Sequence, residues 1–211
     1  MPVRLDYQLI EAYVEPGSNV LDLGCGDGTL LDQLVQEKGC TGLGVDSDLD
    51  QVHQCIARGV PVYHGDMLEA MGMFEERRFD CVVLSQTLQQ TSEPDRVVQE
   101  MLRVGRRAII SLPNFGHWRV RLQLLLRGRM PVTGVLPYSW YETPNIHLLT
   151  IKDFFRFCRE QGVHVLDTIY LSARYRSLPG FMANLFGSMA IFVVERAQEA
   201  GDGRQKPKDE E

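Results

Sequence analysis

Three glycines at alternate positions, Gly24, Gly26 and Gly28, close the segment Asn19-Val-Leu-Asp-Leu-Gly-Cys-Gly-Asp-Gly28 directly after a short apolar run. About 20 residues further on, Asp46 ends a second apolar run, Gly42-Leu-Gly-Val45. Strand, glycine loop, helix, strand, acid is the layout of a nucleoside pocket at the edge of a parallel sheet. Glycine lets the main chain approach a ligand where a Cβ would collide. The Asp46 carboxylate can accept hydrogen bonds from both hydroxyls of a ribose, at roughly 1.5–3 kcal/mol for each charge-assisted bond.

The spacing separates one nucleoside class from another. Dinucleotide sites use G-x-G-x-x-G and seat a pyrophosphate on the next helix's N-terminus. Here the third glycine comes one residue early, and Asp22 and Asp27 flank the loop. Carboxylates repel a pyrophosphate and attract a sulfonium or an ammonium. The residues therefore favour S-adenosyl-L-methionine (SAM), or its product S-adenosyl-L-homocysteine, as the cofactor. The arrangement resembles class I SAM-dependent methyltransferases. Two later runs fit that resemblance. Val60-Pro-Val-Tyr-His64 reads as a third strand ending at Gly65-Asp66, where such enzymes place an acid near the adenine amine. Phe79-Asp-Cys-Val-Val-Leu-Ser85 reads as a fourth strand, with Ser85 beside the methionine portion. The expected cofactor-binding set is Asp22, Gly24, Gly26, Gly28, Asp46, Asp66 and Ser85.

The elements that must position these residues follow from periodicity. Apolar residues at helical spacing mark helices over 5–14, 29–38, 47–58, 94–103 and 151–161. Gly39 and Gly59 stop the second and third of these, Pro94 starts the fourth, and Thr150-Ile-Lys-Asp153 reads as a capping box. Strands are expected at 107–112, 163–171 and 190–195, the last two joined by an irregular link containing Pro179-Gly180. Seven strands with interleaved helices define an α/β fold, a doubly wound, mostly parallel, Rossmann-like sheet. One domain over 1–196 is expected, with an insert at 113–149. The polar segment 197–211 is expected to be a disordered tail.

Composition excludes several classes. The 211 residues carry a net charge of −6, which argues against a general nucleic-acid binder. No apolar stretch is long enough to span a bilayer, and a cytoplasmic protein is expected. The five cysteines form no C-x-x-C pair and no zinc-spaced cluster, so reduced core thiols are expected and no metal.

The insert is the least generic region. A helix over 118–129 has Trp118, Leu122, Leu125 and Leu126 on one face and Val120 and Leu124 roughly opposite. One apolar face is expected to pack on the sheet, which would leave the second over. The second face is then either covered by the insert or left as a protein contact. The helix lies in a basic stretch, Arg103, Arg106, Arg107, Arg119, Arg121, Arg127 and Arg129, which means a solvated face or a docking site for an acidic protein surface or an anionic ligand. The following loop, with its prolines and aromatics, is expected to lie above the strand ends and could lid the pocket. Of the acid/base side chains there, His117, Tyr138, Tyr141 and His147, the best candidates for a catalytic base are His117 and Tyr141, each with a structural role as the ordinary alternative.

The runs Ser85-Gln-Thr-Leu-Gln89, Pro113-Asn-Phe-Gly-His-Trp118 and Pro137-Tyr-Ser-Trp-Tyr-Glu-Thr-Pro-Asn-Ile-His147, together with the glycine loop, resemble the MetW family of methionine biosynthesis. The resemblance covers roughly residues 4 to 170 and is weaker around 181–195. It also departs at Asp46-Ser-Asp48, where a turn beginning with Glu is expected. It implies a methyltransferase-like protein that assists homoserine O-acyltransferase as its partner. The alternative is a SAM-dependent methyltransferase acting on an unidentified small molecule. The fourth strand ends in Ser85-Gln86-Thr87-Leu88 and lacks the Asn/Asp-Pro-Pro-aromatic motif that holds an amine for methylation.

Overall fold

The computed structural model describes residues 5–134 and 136–197. The chain runs α1 (Leu5–Tyr13), β1 (Asn19–Leu23), α2 (Thr29–Lys38), β2 (Thr41–Asp46), α3 (Leu49–Arg58), β3 (Val62–His64), α4 (Met67–Gly72), β4 (Phe79–Ser85), α5 (Pro94–Val104) and β5 (Gly105–Pro113). It continues through α6 (Trp118–Arg127), α7 (Ile151–Glu160), β6 (Val163–Leu171), α8 (Gly180–Phe186) and β7 (Met189–Arg196). The seven strands form one sheet in the order β3-β2-β1-β4-β5-β7-β6. All neighbours are parallel except β7, which runs antiparallel to both β5 and β6.

Side chains alternate across the sheet, as the period of two requires. Leu21, Val82, Leu84, Ala108 and Ile110 face one core, shared with α4, α5 and α7. Val20, Cys81, Val83 and Ile109 face the other, shared with α1, α2 and α3. Burial on both faces explains why β4 and β5 read as near-continuous apolar runs. The helix ends match the sequence signals. Gly39 and Gly59 adopt the left-handed conformation at φ 63° and 79° and close α2 and α3. Thr150 and Asp153 form the reciprocal capping box of α7.

Two expectations are corrected. The link before β7 contains a helix, α8, starting at Gly180. The α6 helix ends at Arg127, where Gly128 takes φ 59°. Its inward side, which the spacing left open, carries Val120, while Leu122, Leu124, Leu125 and Leu126 are all exposed. The cause is the geometry of the turn into α6. Asn114, fully buried, donates from Nδ2 to the carbonyls of Gly187 (2.7 Å) and Asn184 (3.2 Å) and accepts at Oδ1 from Gly116 N–H (2.9 Å). Arg121 donates from Nε back to the Gly116 carbonyl. These bonds fix the rotation of α6 before its leucines can choose a side. The expected tail lies outside the described residues from 198 onward, while Ala197 still donates its N–H to Gly162 O.

Candidate functional site

The strand order places a switch point beside β1. The chain leaves β1 toward β2 and β3 on one side, then returns to β4 on the other. The crevice outside the strand ends at such a point is where open α/β sheets take ligands. The glycine loop, Asp46 and the end of β4 all lie there.

The loop is held by its own hydrogen bonds. Gly24 and Cys25 both donate N–H to Val45 O, at 2.8 and 3.1 Å, and Gly28 donates to Cys25 O at 3.1 Å. Gly26 donates to Asp46 Oδ2 at 2.8 Å, and Asp48 donates to Asp46 Oδ1 at 2.9 Å. Thr29 N–H is taken by Asp27 Oδ1. Five consecutive-region N–H groups thus point at protein acceptors, and a pyrophosphate cradle needs them pointing outward. The negative charge expected of the loop from its sequence is partly cancelled. Asp27 is paired with Arg58 at 2.7 Å and does not act as a free anion beside the ligand. Burial alone would raise its pKa, but the Thr29 hydrogen bonds and the Arg58 charge outweigh that and lower it.

The three glycines have different roles. All have positive φ, 65° at Gly24, 56° at Gly26 and 76° at Gly28. A Cβ on Gly24 would meet Thr87 Oγ1 at 2.8 Å, and one on Gly28 would meet Cys55 Sγ at 3.0 Å. At Gly26 the nearest atom is Gln51 Oε1 at 3.7 Å, so only this position leaves the main chain open to an approaching ligand.

Asp22 is buried near the end of β1, and Asp46 is half-buried at the end of β2. Their field acts on the loop. The Cys25 thiol is pushed up mainly by burial and then by the charges of Asp22, Cys55 and Asp46. Cys25 and Cys55 sit with sulfurs 3.8 Å apart, and Cys55 donates to Gly26 O at 3.0 Å. All five cysteines are buried and free, as expected of core thiols.

The remaining sequence candidates are placed as follows. Asp66 caps α4, accepting from Leu68 N–H at 2.7 Å, and is exposed at the end of β3. Ser85 pairs its hydroxyl with Ser111 Oγ at 3.1 Å. His117 caps α6 by accepting Arg119 N–H at Nδ1, and burial followed by the Arg119 charge lowers its pKa. Tyr141 is 70% exposed, edge-on to Trp140. The loop carrying it reaches the β4 side, where Ile146 and His147 both donate N–H to Gln89 O.

Sequence reasoning missed Asp6, Gln86 and Thr87. Asp6 is fully buried on α1 and accepts from Gln86 Nε2 at 3.1 Å. Gln86 has φ 55°, and its N–H is held by both Ser111 O and Ser111 Oγ. Non-glycine residues with positive φ are uncommon and cluster at functional sites. Only the Ser85-Gln-Thr-Leu-Gln89 run hinted at it. Among the described residues there is no cluster fit to hold a metal ion, and no helix is long and apolar enough to cross a membrane.

Sheet order, glycine loop and the acid after β2 together define a class I SAM methyltransferase-like fold. A SAM-dependent methyltransferase from Geobacter sulfurreducens, solved in complex with S-adenosyl-L-homocysteine, shares it with a TM-score of 0.60 at 19% identity, over 93% of this chain and 91% of that one. The family model described as "Methionine biosynthesis protein MetW" matches residues 4–194, and the chain belongs to that family. It is 34% identical, over 92% of its length, to the bifunctional methionine biosynthesis protein MetXA/MetW of Rhodopirellula baltica, of which it spans 33%. A demethylmenaquinone methyltransferase of Listeria welshimeri is 29% identical over 61% of this chain and 63% of that protein. The chain is thus a methyltransferase-like protein of methionine biosynthesis.

Proposed function

We propose that this chain binds SAM and serves as an accessory subunit of homoserine O-acyltransferase. The observation that carries the partner role is the Rhodopirellula baltica relative, in which a chain like this one is a third of a polypeptide also named for MetXA. We read that second part as the acyltransferase. Joining a MetW-like part to a MetXA-like part in one polypeptide supports a functional link between the two.

For the cofactor, the fit rests on Asp46 and Gly26. A carboxylate has about four lone-pair sites. Gly26 and Asp48 occupy one on each oxygen of Asp46, which leaves one on each for the two ribose hydroxyls. Gly26 lets the main chain lie against the adenosyl group, Asp66 lies at the adenine end and Ser85 at the methionine end. Asp22 and Asp46 supply negative charge for the sulfonium. Bound SAM supplies a methyl donor or, in an accessory subunit, a report of the pathway's end product. The second part requires that SAM favour one assembly state by differential affinity.

The placement of the candidate bases supports an accessory role over catalysis. His117 uses Nδ1 to cap a helix, and Tyr141 stands exposed on the loop. The test is to co-express both proteins, purify them together and assay acyl transfer with and without SAM. Acyl transfer that is unchanged by this chain would remove the reading. Methyl release from labelled SAM in a metabolite screen would replace it with the methyltransferase.

A further inference from the structure

More than half of the large apolar side chains exposed among the described residues lie between Trp118 and Leu148. On α6, Trp118, Leu122 and Leu125 follow one another at i, i+4 and i+7 and form a single stripe. Phe181, 89% exposed, and Leu185, 40% exposed, form a second stripe on α8. The two helices are neighbours, Arg121 of α6 approaching the Asn184 carbonyl of α8 at 3.5 Å. Arg121 belongs to the first stripe by spacing, and Asn184 to the second. An exposed apolar patch built from two helices is the signature of an interaction site.

Charge indicates what covers it. No Asp or Glu occurs between Glu100 and Glu142. Among the described residues no carboxylate pairs with Arg119, Arg121, Arg127 or Arg129. A symmetric contact between two copies would set this arginine ring against itself, because a two-fold interface joins the same patch on both chains. The complement is a different surface, apolar at its centre with carboxylates at its edge. Arginine's planar fork binds such carboxylates in pairs.

We propose that the exposed face of α6, with the α8 stripe beside it, is the surface that docks the acyltransferase, through a leucine-centred contact ringed by arginine–carboxylate pairs. This rests on the partner role proposed above. The surface follows β5, two strands along from β1, and shares no residue with the cofactor-binding set.

The test uses the full chain and the co-expressed acyltransferase. In the Leu125→Glu/Leu126→Glu variant the affinity for the acyltransferase should fall by at least about 30-fold, while SAM affinity and melting temperature match wild type. Ile56→Glu, at a site on α3 that is 62% exposed, should bind like wild type. Arg127→Glu/Arg129→Glu should slow association and flatten its salt dependence. If wild type binds the acyltransferase and the leucine variant binds it equally well, this surface is wrong and the partner role stands. If wild type does not bind, the partner role falls and this proposal with it. Self-association, or binding to anionic phospholipid vesicles, that the leucine variant abolishes would overturn the assigned occupant.

Discussion

Replacing Asp46 by alanine removes an acceptor group with four bonding positions. Two hold the loop, through Gly26 N–H at 2.8 Å and Asp48 N–H at 2.9 Å. The other two are assigned to the ribose. A charge-assisted hydrogen bond contributes about 1.5–3 kcal/mol, and two bonds to one carboxylate are not additive. The expected loss in SAM binding is therefore roughly 2–5 kcal/mol, about 30- to 5,000-fold in Kd. The loss of stability should be smaller. Asp46 is half-buried, so water can reach the freed N–H groups, at a cost of about 1 kcal/mol for each lost bond. Asp46→Asn keeps one acceptor oxygen and turns an amide donor toward a backbone N–H, so it should fall between the two. Titration calorimetry with SAM and with S-adenosyl-L-homocysteine measures the affinities, and a thermal melt checks the fold. If Asp46→Ala binds SAM within threefold of wild type and melts at the same temperature, the ribose assignment is refuted.

Gly24→Ala should lose more than about 2 kcal/mol of stability, from left-handed strain and the collision with Thr87. Adding Thr87→Ala should restore the collision part only, leaving about 1–2 kcal/mol of strain in a urea titration of the double variant. Asn114→Ala should cost about 3 kcal/mol or more by the same measurement, because it strips partners from the buried ends of α6, α7 and α8 together. His117 titrates below its ordinary value of 6.5 in the folded chain. The unfolded chain then binds more protons between that lowered value and 6.5, so stability falls as pH drops through this window and levels off below it. Melting temperatures from pH 7.5 to 5 should decline more in wild type than in His117→Asn, whose amide keeps the cap without titrating; parallel curves would refute the assignment.

How much of the site was legible depended on range along the chain. β1, the glycine loop, α2 and β2 with Asp46 are contiguous, and their period, glycines and terminal acid are local signals. The capping box at Thr150 and the stops at Gly39 and Gly59 are local in the same way. Short elements gave no such signal. α4 and α8 span six and seven residues, too few for a helical period to stand out. The bond from Asp6 to Gln86 joins residues 80 apart. Nor does spacing reveal that Thr87 fills the space beside Gly24, or that Arg58 neutralises Asp27.

The sequence alone determined the fold class, the nucleoside-type loop and the MetW-like insert, because backbone propensity and apolar periodicity act over a few residues. The tertiary structure decided which glycine stays open, that Asp27 is tied to Arg58, and which side of α6 faces out. The α6 case gives the reason. A helix with two apolar faces has no inward side of its own. Bonds from Asn114 and Arg121 at its base turn Val120 into the core and leave its leucines on the surface.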